Sequence, residues 1–213
     1  MRTFTETGER PFVIGAARTE ILAPPLAWSN RFAEERAIVC PDVFEPALLD
    51  RLLGVARRSH YREEDVSRLG TRQVEAPQTL GTMLTLLLRR ANLMAWLEQV
   101  TGTAGLAGVE GHVVQTRAGG DALDWHDDRN KPGRALGVTI SLIDSEFSGG
   151  AFEMRRVGAP ESVRTFQHAR PGTALIFAIG RDVEHRLLPL ASGGPRRVFA
   201  GWFMRDAIPA EQA

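Results

Sequence analysis

The second half of the chain, from Gly108 onwards, is a series of short apolar or alternating runs separated by glycine, proline and aspartate. Runs of this length with breaks at this spacing are typical of strands in a sandwich or barrel. Strands are predicted at His112–Thr116, Leu136–Ile143, Ala151–Met154, Val163–Phe166, Thr173–Ala178, Val183–Leu188 and Val198–Met204. An eight-stranded jelly roll is a natural way to close such a set of strands.

The first half of the chain has helical periodicity instead. Apolar residues at helical spacing follow Pro46, which suits a first helical turn, and the run ends near Arg57 and Arg58, where cations are favoured. A second helix is predicted over residues 79–90. A third is predicted between Asn92 as N-cap and Gly102 just past its end.

The segments around these helices carry weaker signals. Residues 32–43 read as a strand centred on residues 37–40, and Ala23-Pro24-Pro25 predicts a break in any helix. The polar segment from Ser59 to Pro77 reads as a loop. His168 follows a strand and is predicted to lie at a turn.

These patterns together predict a mostly β chain of the α+β class. Its core would be a jelly roll, also called a double-stranded β-helix, with the N-terminal helices packed on one sheet. Residues 1–213 are predicted to form a single domain, because no linker-like composition divides the chain. Within it, residues 1–107 would be a helical and strand support region and residues 108–213 the jelly-roll core.

Composition excludes several classes of function. Lysine plus arginine equals aspartate plus glutamate, 26 each, so no basic excess indicates a nucleic-acid or membrane partner. Cys40 is the only cysteine, which rules out an intrachain disulfide and a cysteine-based zinc cluster. The sequence shows neither a signal-peptide pattern nor an apolar run of membrane-spanning length. We therefore expect a soluble cytoplasmic protein.

A possible metal site begins with His126 and Asp128. Residues two apart in an extended segment point to the same side, so the imidazole and the carboxylate would share a target while Asp127 points away. The third ligand must come from elsewhere, and His185, in a predicted strand, is the best candidate. Two histidines and one carboxylate with open positions are the ligand set of non-haem Fe(II) oxygenases.

Two adjacent arginines, Arg196 and Arg197, follow this histidine at the start of the last strand. The planar guanidinium group binds a carboxylate through two parallel hydrogen bonds, so one of them is a candidate seat for an acidic cosubstrate. The other is expected to be a surface charge beside the turn.

These motifs, in this order, resemble the 2-oxoglutarate and Fe(II)-dependent dioxygenases, specifically their prolyl 4-hydroxylase-like branch. The resemblance covers roughly residues 113–203. It rests on the segments 123–128, 134–142, 147–153, 171–177, 185–190 and 195–203. No single segment is decisive, but the ordered set is specific.

The resemblance implies a function and a set of roles. His126, Asp128 and His185 would bind Fe(II), and an arginine would grip the distal carboxylate of 2-oxoglutarate. Counting back from Gly201-Trp202-Phe203 favours Arg196, with Arg197 left as the alternative. Thr116 stands near the place where the family often has a tyrosine that touches the cosubstrate, so we expect Thr116 in the cosubstrate pocket. The implied reaction uses O2, hydroxylates the substrate and releases succinate and CO2.

Two other functions fit the same residues. A zinc ion held by two histidines and one aspartate, with a bound water, is the arrangement of a metal-dependent hydrolase. A non-catalytic jelly roll that binds a small molecule or a partner protein is the second alternative. For the oxygenase, the expected substrate is an amino acid, a peptidyl residue or a small metabolite. Residues 61–77 and 129–133 are expected to shape its specificity.

Overall fold

The structure, a computed structural model, describes residues 2–6, 8–66, 70–119 and 122–205. The described residues contain four helices: α1 Pro25–Glu35, α2 Pro46–Arg58, α3 Thr79–Leu88 and α4 Ala91–Thr101. They also contain sixteen strands: β1 Arg2–Thr3, β2 Phe12–Ile14, β3 Thr19–Ile21, β4 Ala37–Cys40, β5 Tyr61–Val66, β6 Gly70–Glu75, β7 Leu106–Thr116, β8 Leu123–His126, β9 Arg134–Ser141, β10 Phe147–Gly149, β11 Phe152–Arg156, β12 Ala159–Phe166, β13 Ala174–Ala178, β14 Val183–Leu187, β15 Leu190–Gly193 and β16 Arg196–Arg205. Among the described helices, none has the length and apolar character needed to cross a membrane.

The larger sheet has seven strands in the order β4-β13-β9-β16-β7-β6-β5. Its centre is β16, which pairs antiparallel with β7 on one side and β9 on the other. Side chains of a strand alternate between faces, so Arg196, Val198, Ala200 and Trp202 of β16 share one face. That face is directed towards the second sheet, and all four residues line the cavity described below.

The second sheet has five strands in the order β1-β12-β11-β14-β8. It meets the larger sheet through aromatic contacts. The Phe177 ring of β13 lies 5.0 Å from the Phe152 ring of β11 and 4.9 Å from the His185 ring of β14, measured between centroids. The candidate site residues line a cavity in the space between the two sheets.

The prediction of a mostly β chain with helices in its first half is confirmed. Each of the seven predicted strands overlaps an observed strand, and the three predicted helices correspond to α2, α3 and α4. Gly102 ends α4 with a φ of 68°, a conformation that glycine adopts without the strain of a side chain.

No helix runs through Ala23 and Pro24, as expected, but helix α1 was not predicted. Pro25 is instead the first residue of α1, where its fixed φ suits a helix and its missing N–H has no partner to lose. The predicted strand over residues 32–43 is consequently too long. Phe32 is still helical, and only Ala37–Cys40 forms a strand.

The expectation of a loop over Ser59–Pro77 is also wrong, because β5 and β6 pair as an antiparallel hairpin at the edge of the larger sheet. Residues 67–69 of this segment lie outside the described part. The hairpin is connected to α3 by the buried carboxylate of Glu75, which accepts hydrogen bonds from the backbone N–H groups of Leu80 and Gly81, both at 2.9 Å. These donors belong to the first turn of α3 and have no partner inside the helix.

Candidate metal centre

Three side chains converge at one end of the space between the sheets. His126 ends β8 and pairs directly with His185 on the neighbouring strand β14, and their ring centroids are 4.2 Å apart. Asp128 follows two residues after β8 ends. One ligand atom from each of the three residues lies within 4.8 Å of the other two. The sequence prediction that these residues meet in space is thus matched by the geometry.

The reason given for that convergence was wrong in one respect. Asp128 does not continue the extended strand, because its φ is 58°, in the left-handed region. Aspartate tolerates this conformation better than most residues that carry a side chain. The turn brings its carboxylate to the histidines: Oδ2 lies 3.3 Å from His185 Nε2, and Oδ1 lies 3.8 Å from His126 Nε2.

The carboxylate of Asp128 is held by groups that the sequence analysis did not single out. Trp202 Nε1 donates a hydrogen bond of 2.8 Å to Oδ2. The guanidinium of Arg134 lies 3.5 Å from the centre of the Trp202 ring. Arg134 also donates to the main-chain oxygen of Asp128 at 3.2 Å and to Asn130 Oδ1 at 2.7 Å. Second-layer contacts of this kind orient metal ligands.

His126 is oriented for metal binding through Nε2. Its Nδ1 lies 2.6 Å from the carbonyl oxygen of Asp124, which can only accept, so Nδ1 carries the proton. Nε2 is then left with a lone pair on the side of Asp128 and His185. Burial, helped by the charge of His185, lowers the pKa of His126, which favours the neutral form that binds a metal.

Asp128 supplies the negative charge of the set. Burial alone would raise the pKa of Asp128, but its hydrogen bond to His185, the charge of His185 and the hydrogen bond from Trp202 together hold the pKa below its ordinary value. Imidazole and carboxylate donors in this number, with one side facing a cavity, fit a ferrous ion.

A cavity of about 620 Å³ extends from these three residues between the sheets. Its lining includes Arg72 from the β5–β6 hairpin, Asn130 from the segment after Asp128, and Thr116, Thr139 and Arg196 from the larger sheet. Both segments that we expected to shape specificity therefore contribute to its wall.

Arg196 lies in this wall without a partner. It is 2% exposed, and no hydrogen bond or ion pair of its guanidinium is found among the described residues; Nε and one terminal nitrogen are buried and unpaired. Burial lowers the pKa of Arg196 to about 10. Thr116 is its cross-strand partner on β7. A buried cation without a counter-ion is costly, so this end of the cavity fits an anionic ligand such as a carboxylate.

Arg197 lies on the opposite face of the same strand. Its Nε donates to Gln115 Oε1 at 3.0 Å, and a terminal nitrogen donates to Asp144 Oδ1 at 3.0 Å. The geometry therefore separates the two arginines that the sequence left as alternatives: Arg197 is already paired, whereas Arg196 is not.

His168 was predicted to lie at a turn, but it is fully buried beside the cavity wall. Its Nε2 lies 3.0 Å from Thr139 Oγ1. A single histidine after a strand gives no sequence signal for this position. Trp202 could have been predicted as a site residue, because the alternation of side chains along a strand places it on the same face as Arg196.

Comparison with known proteins agrees with this geometry. Residues 111–204 match the family model of the 2OG-Fe(II) oxygenase superfamily, and the matched range contains all three candidate ligands and Arg196. No curated protein matches the chain.

Several solved structures share the fold. A 2OG-Fe(II) oxygenase family oxidoreductase from Burkholderia pseudomallei is 16% identical, with 86% of this chain and 92% of that chain covered and a TM-score of 0.66. A prolyl-4-hydroxylase from Pseudomonas putida is 18% identical, with coverage of 85% and 98% and a TM-score of 0.66. A prolyl hydroxylase from Trichoplax adhaerens, in complex with a hypoxia inducible factor peptide fragment, is 14% identical, with coverage of 84% and 87% and a TM-score of 0.64.

At these identities the structural likeness establishes the fold, and the family match adds the sequence evidence. The chain is thus similar to the 2OG-Fe(II) oxygenase superfamily over residues 111–204, and prolyl hydroxylases are among the solved structures that share its fold.

Proposed function

We propose that the protein is a 2-oxoglutarate- and Fe(II)-dependent dioxygenase that hydroxylates a small molecule or a peptidyl residue. The observation that carries this proposal is the pairing, in one cavity, of a His-Asp-His cluster with an unpaired buried arginine. A hydrolase with a zinc-bound water needs the cluster but has no use for the arginine, and a simple binding module needs neither.

His126, Asp128 and His185 would hold the iron, and Arg196, with Thr116 opposite it, would bind the distal carboxylate of 2-oxoglutarate. When bound, iron and cosubstrate supply the oxidation: one O2, one 2-oxoglutarate and one C–H bond give succinate, CO2 and a hydroxylated product. The protein's own share is to keep His126 deprotonated at Nε2, to fix Asp128 through Trp202, and to place the acid against Arg196.

The two main sheets are proposed to form the double-stranded β-helix, with the helices outside the larger sheet. This is supported by the contact of α3 with the backbone of β7, where a Cβ on Gly81 would lie 3.3 Å from the Cα of His112. We also propose a single domain over residues 1–213, supported by one cluster of buried residues that runs from Phe4 to Phe203.

The substrate class is supported by one relative and by the size of the cavity. The Trichoplax relative was solved with a peptide, and the cavity here has room for a small molecule or one side chain of a peptide beside the cosubstrate. A cytoplasmic location stays a prediction from the sequence.

The test is the reaction without added substrate, which these enzymes are expected to run slowly. Purified protein should release succinate only when Fe(II), 2-oxoglutarate and O2 are all present. An anaerobic titration with Fe(II) and 2-oxoglutarate should produce a metal-to-ligand charge-transfer band. Protein that binds Fe(II) but neither produces this band nor releases succinate would refute the proposal. A library of amino acids, peptides and small metabolites, scored by increased succinate release, would then identify the substrate.

A further inference from the structure

A buried hydrogen-bonded pair stands beside the cavity wall and has no place in the function proposed so far. His168 is 0% exposed, its Nε2 lies 3.0 Å from Thr139 Oγ1, and its Nδ1 is buried with no partner among the described residues. The edge of the ring packs against Phe166, 4.7 Å away between centroids. Thr139 lines the cavity, and it lies on β9 directly opposite Ala200 of β16.

The imidazole of His168 is neutral. Burial, helped by the positive charge of Arg196, lowers the pKa of His168 well below its ordinary value of 6.5. A neutral imidazole carries one N–H and one lone pair, so only two arrangements of the pair exist. Either Thr139 donates to a bare Nε2, or a protonated Nε2 donates to Thr139.

The surroundings favour the second arrangement. In the first, the proton sits on Nδ1 and a buried N–H is left without an acceptor; orphaned donors of this kind are rarer than orphaned acceptors. In the second, Nδ1 carries only a lone pair, which a nearby guanidinium cation stabilises. Nε2 then donates to Thr139 Oγ1, so the proton of the threonine hydroxyl is free to be donated elsewhere.

We propose that Thr139 donates this proton to the distal carboxylate of the cosubstrate, as a further hydrogen-bond donor beside Arg196 and Thr116, and that His168 is a positioning residue that turns the hydroxyl towards the cavity. The inference rests on the proposed function, since it assigns residues to the cosubstrate seat. The binding site for the carboxylate would thereby have an additional hydrogen-bond donor without a second buried positive charge.

The test measures the affinity for 2-oxoglutarate by anaerobic calorimetry, with the protein loaded with Mn(II), which holds the site without turnover. Thr139→Val keeps the shape and removes the hydroxyl, so it should weaken 2-oxoglutarate binding by roughly 10- to 100-fold, the range expected for a hydrogen bond to a charged group. Thr103→Val is the matched control, because Thr103 is also buried but does not line the cavity, and binding should be unchanged.

Four further variants test the role of His168. His168→Leu should weaken binding to a similar extent as Thr139→Val, and the double variant should be no worse than either single one. His168→Gln places an amide N–H near the position of Nε2 and should restore affinity. His168→Asn places its amide nitrogen near the position of Nδ1 instead, so it should not restore the affinity for 2-oxoglutarate. In wild type, nitrogen NMR should show the proton of His168 on Nε2.

Retained Mn(II) affinity shows that a variant has folded. If Mn(II)-loaded Thr139→Val binds 2-oxoglutarate as wild type does, or if the leucine and glutamine variants of His168 behave alike, the inference is wrong while the proposed function stands. A wild-type protein that binds Mn(II) but not 2-oxoglutarate overturns the proposed function, and the inference with it.

Discussion

The two ends of the cavity differ in how their charges are compensated. At the metal end, the carboxylate of Asp128 lies close to both histidines and accepts a hydrogen bond from Trp202. At the other end, the guanidinium of Arg196 is buried and meets no acceptor among the described residues. The carboxylate at the metal end therefore has partners before anything binds, whereas the guanidinium at the other end has none within the described part of the chain.

This difference indicates what each end is for. A metal site profits from ligands that are fixed in advance, and second-layer contacts fix them. A binding site for a carboxylate is more effective with an unpaired cation, because the carboxylate does not have to displace another partner. The unpaired cation lowers the stability of the protein while the site is empty. Under the proposed function, the free-energy cost of burying Arg196 without a partner is recovered when the carboxylate of the cosubstrate binds.

The largest effect should come from breaking the metal end. Asp128→Ala removes the only carboxylate of the set, and succinate formation should fall by more than about 100-fold, beyond the usual loss for a second-layer change. Asp127→Ala is the matched control, because this neighbouring carboxylate is instead bound by Arg129 at 2.7 Å. Fe(II) affinity and succinate release should be measured for both, and similar losses in the two variants would contradict the assignment.

Removing the charge at the other end should have two opposite effects. Arg196→Met should weaken 2-oxoglutarate binding by roughly 100-fold, since a bidentate charged pair is lost. The same change should stabilise the ligand-free protein, because a pKa lowered from 12.5 to about 10 corresponds to a cost of roughly 3 kcal/mol at neutral pH. The melting temperature should rise by several degrees.

Arg197→Met provides the control for this pair of effects. It breaks bonds to Gln115 and Asp144, so it should lower the melting temperature and change 2-oxoglutarate binding only slightly. The reverse pattern would give Arg197 the role that we assign to Arg196.

A smaller effect is expected from loosening the metal end without removing a ligand. Trp202→Phe deletes the hydrogen bond to Asp128 and should lower Fe(II) affinity by roughly 10- to 100-fold. Trp125→Phe is the comparison, since Trp125 is next to His126 in sequence but its ring contacts the guanidinium groups of Arg155 and Arg186. Equal metal affinities in the two variants would show that Trp202 does not orient Asp128.

The smallest effect should come from crowding the stem of Arg196. A Cβ added at Gly150 would lie 3.2 Å from Arg196 Cδ and 2.9 Å from Leu190 Cδ1, so Gly150→Ala should weaken 2-oxoglutarate binding by a few-fold, or about 1 kcal/mol. Gly158→Ala carries the same backbone cost, because both glycines have positive φ, but its Cβ would meet nothing within 4 Å. Calorimetry of both variants isolates the contact with Arg196.

Helices and strands could be predicted from the sequence where one face of the element is buried. The strand around residues 136–141 and the helix after Pro46 are examples, because apolar periodicity reports burial directly. The β5–β6 hairpin was missed because an edge strand rich in charged residues lacks that pattern. Helix α1 was missed because a proline that starts a helix and one that breaks it look the same without the following turn.

The candidate residues of the site and their convergence could be proposed from the sequence, but the local geometry that orients them could not. His126, Asp128 and His185 follow from residue type and order, but the turn that aims Asp128 depends on a single backbone angle that no pattern reveals. His168 gave no signal because its role comes from a contact with Thr139, 29 positions away in sequence. The choice between Arg196 and Arg197 required the partners of each, which only the tertiary structure supplies.

The antiparallel pairing of β16 on both sides limits how this protein can change in length. Ten residues of the strand pair with β7, with one shift of register after Met204, and seven of these also pair with β9. Sliding the strand by one position would exchange its two faces, burying Arg197 and expelling Arg196, Val198 and Trp202 together. An insertion or deletion between His185 and Arg196 is therefore tolerated only if the connecting turn absorbs it, and homologues of different loop length should keep the spacing from Arg196 to Trp202 constant.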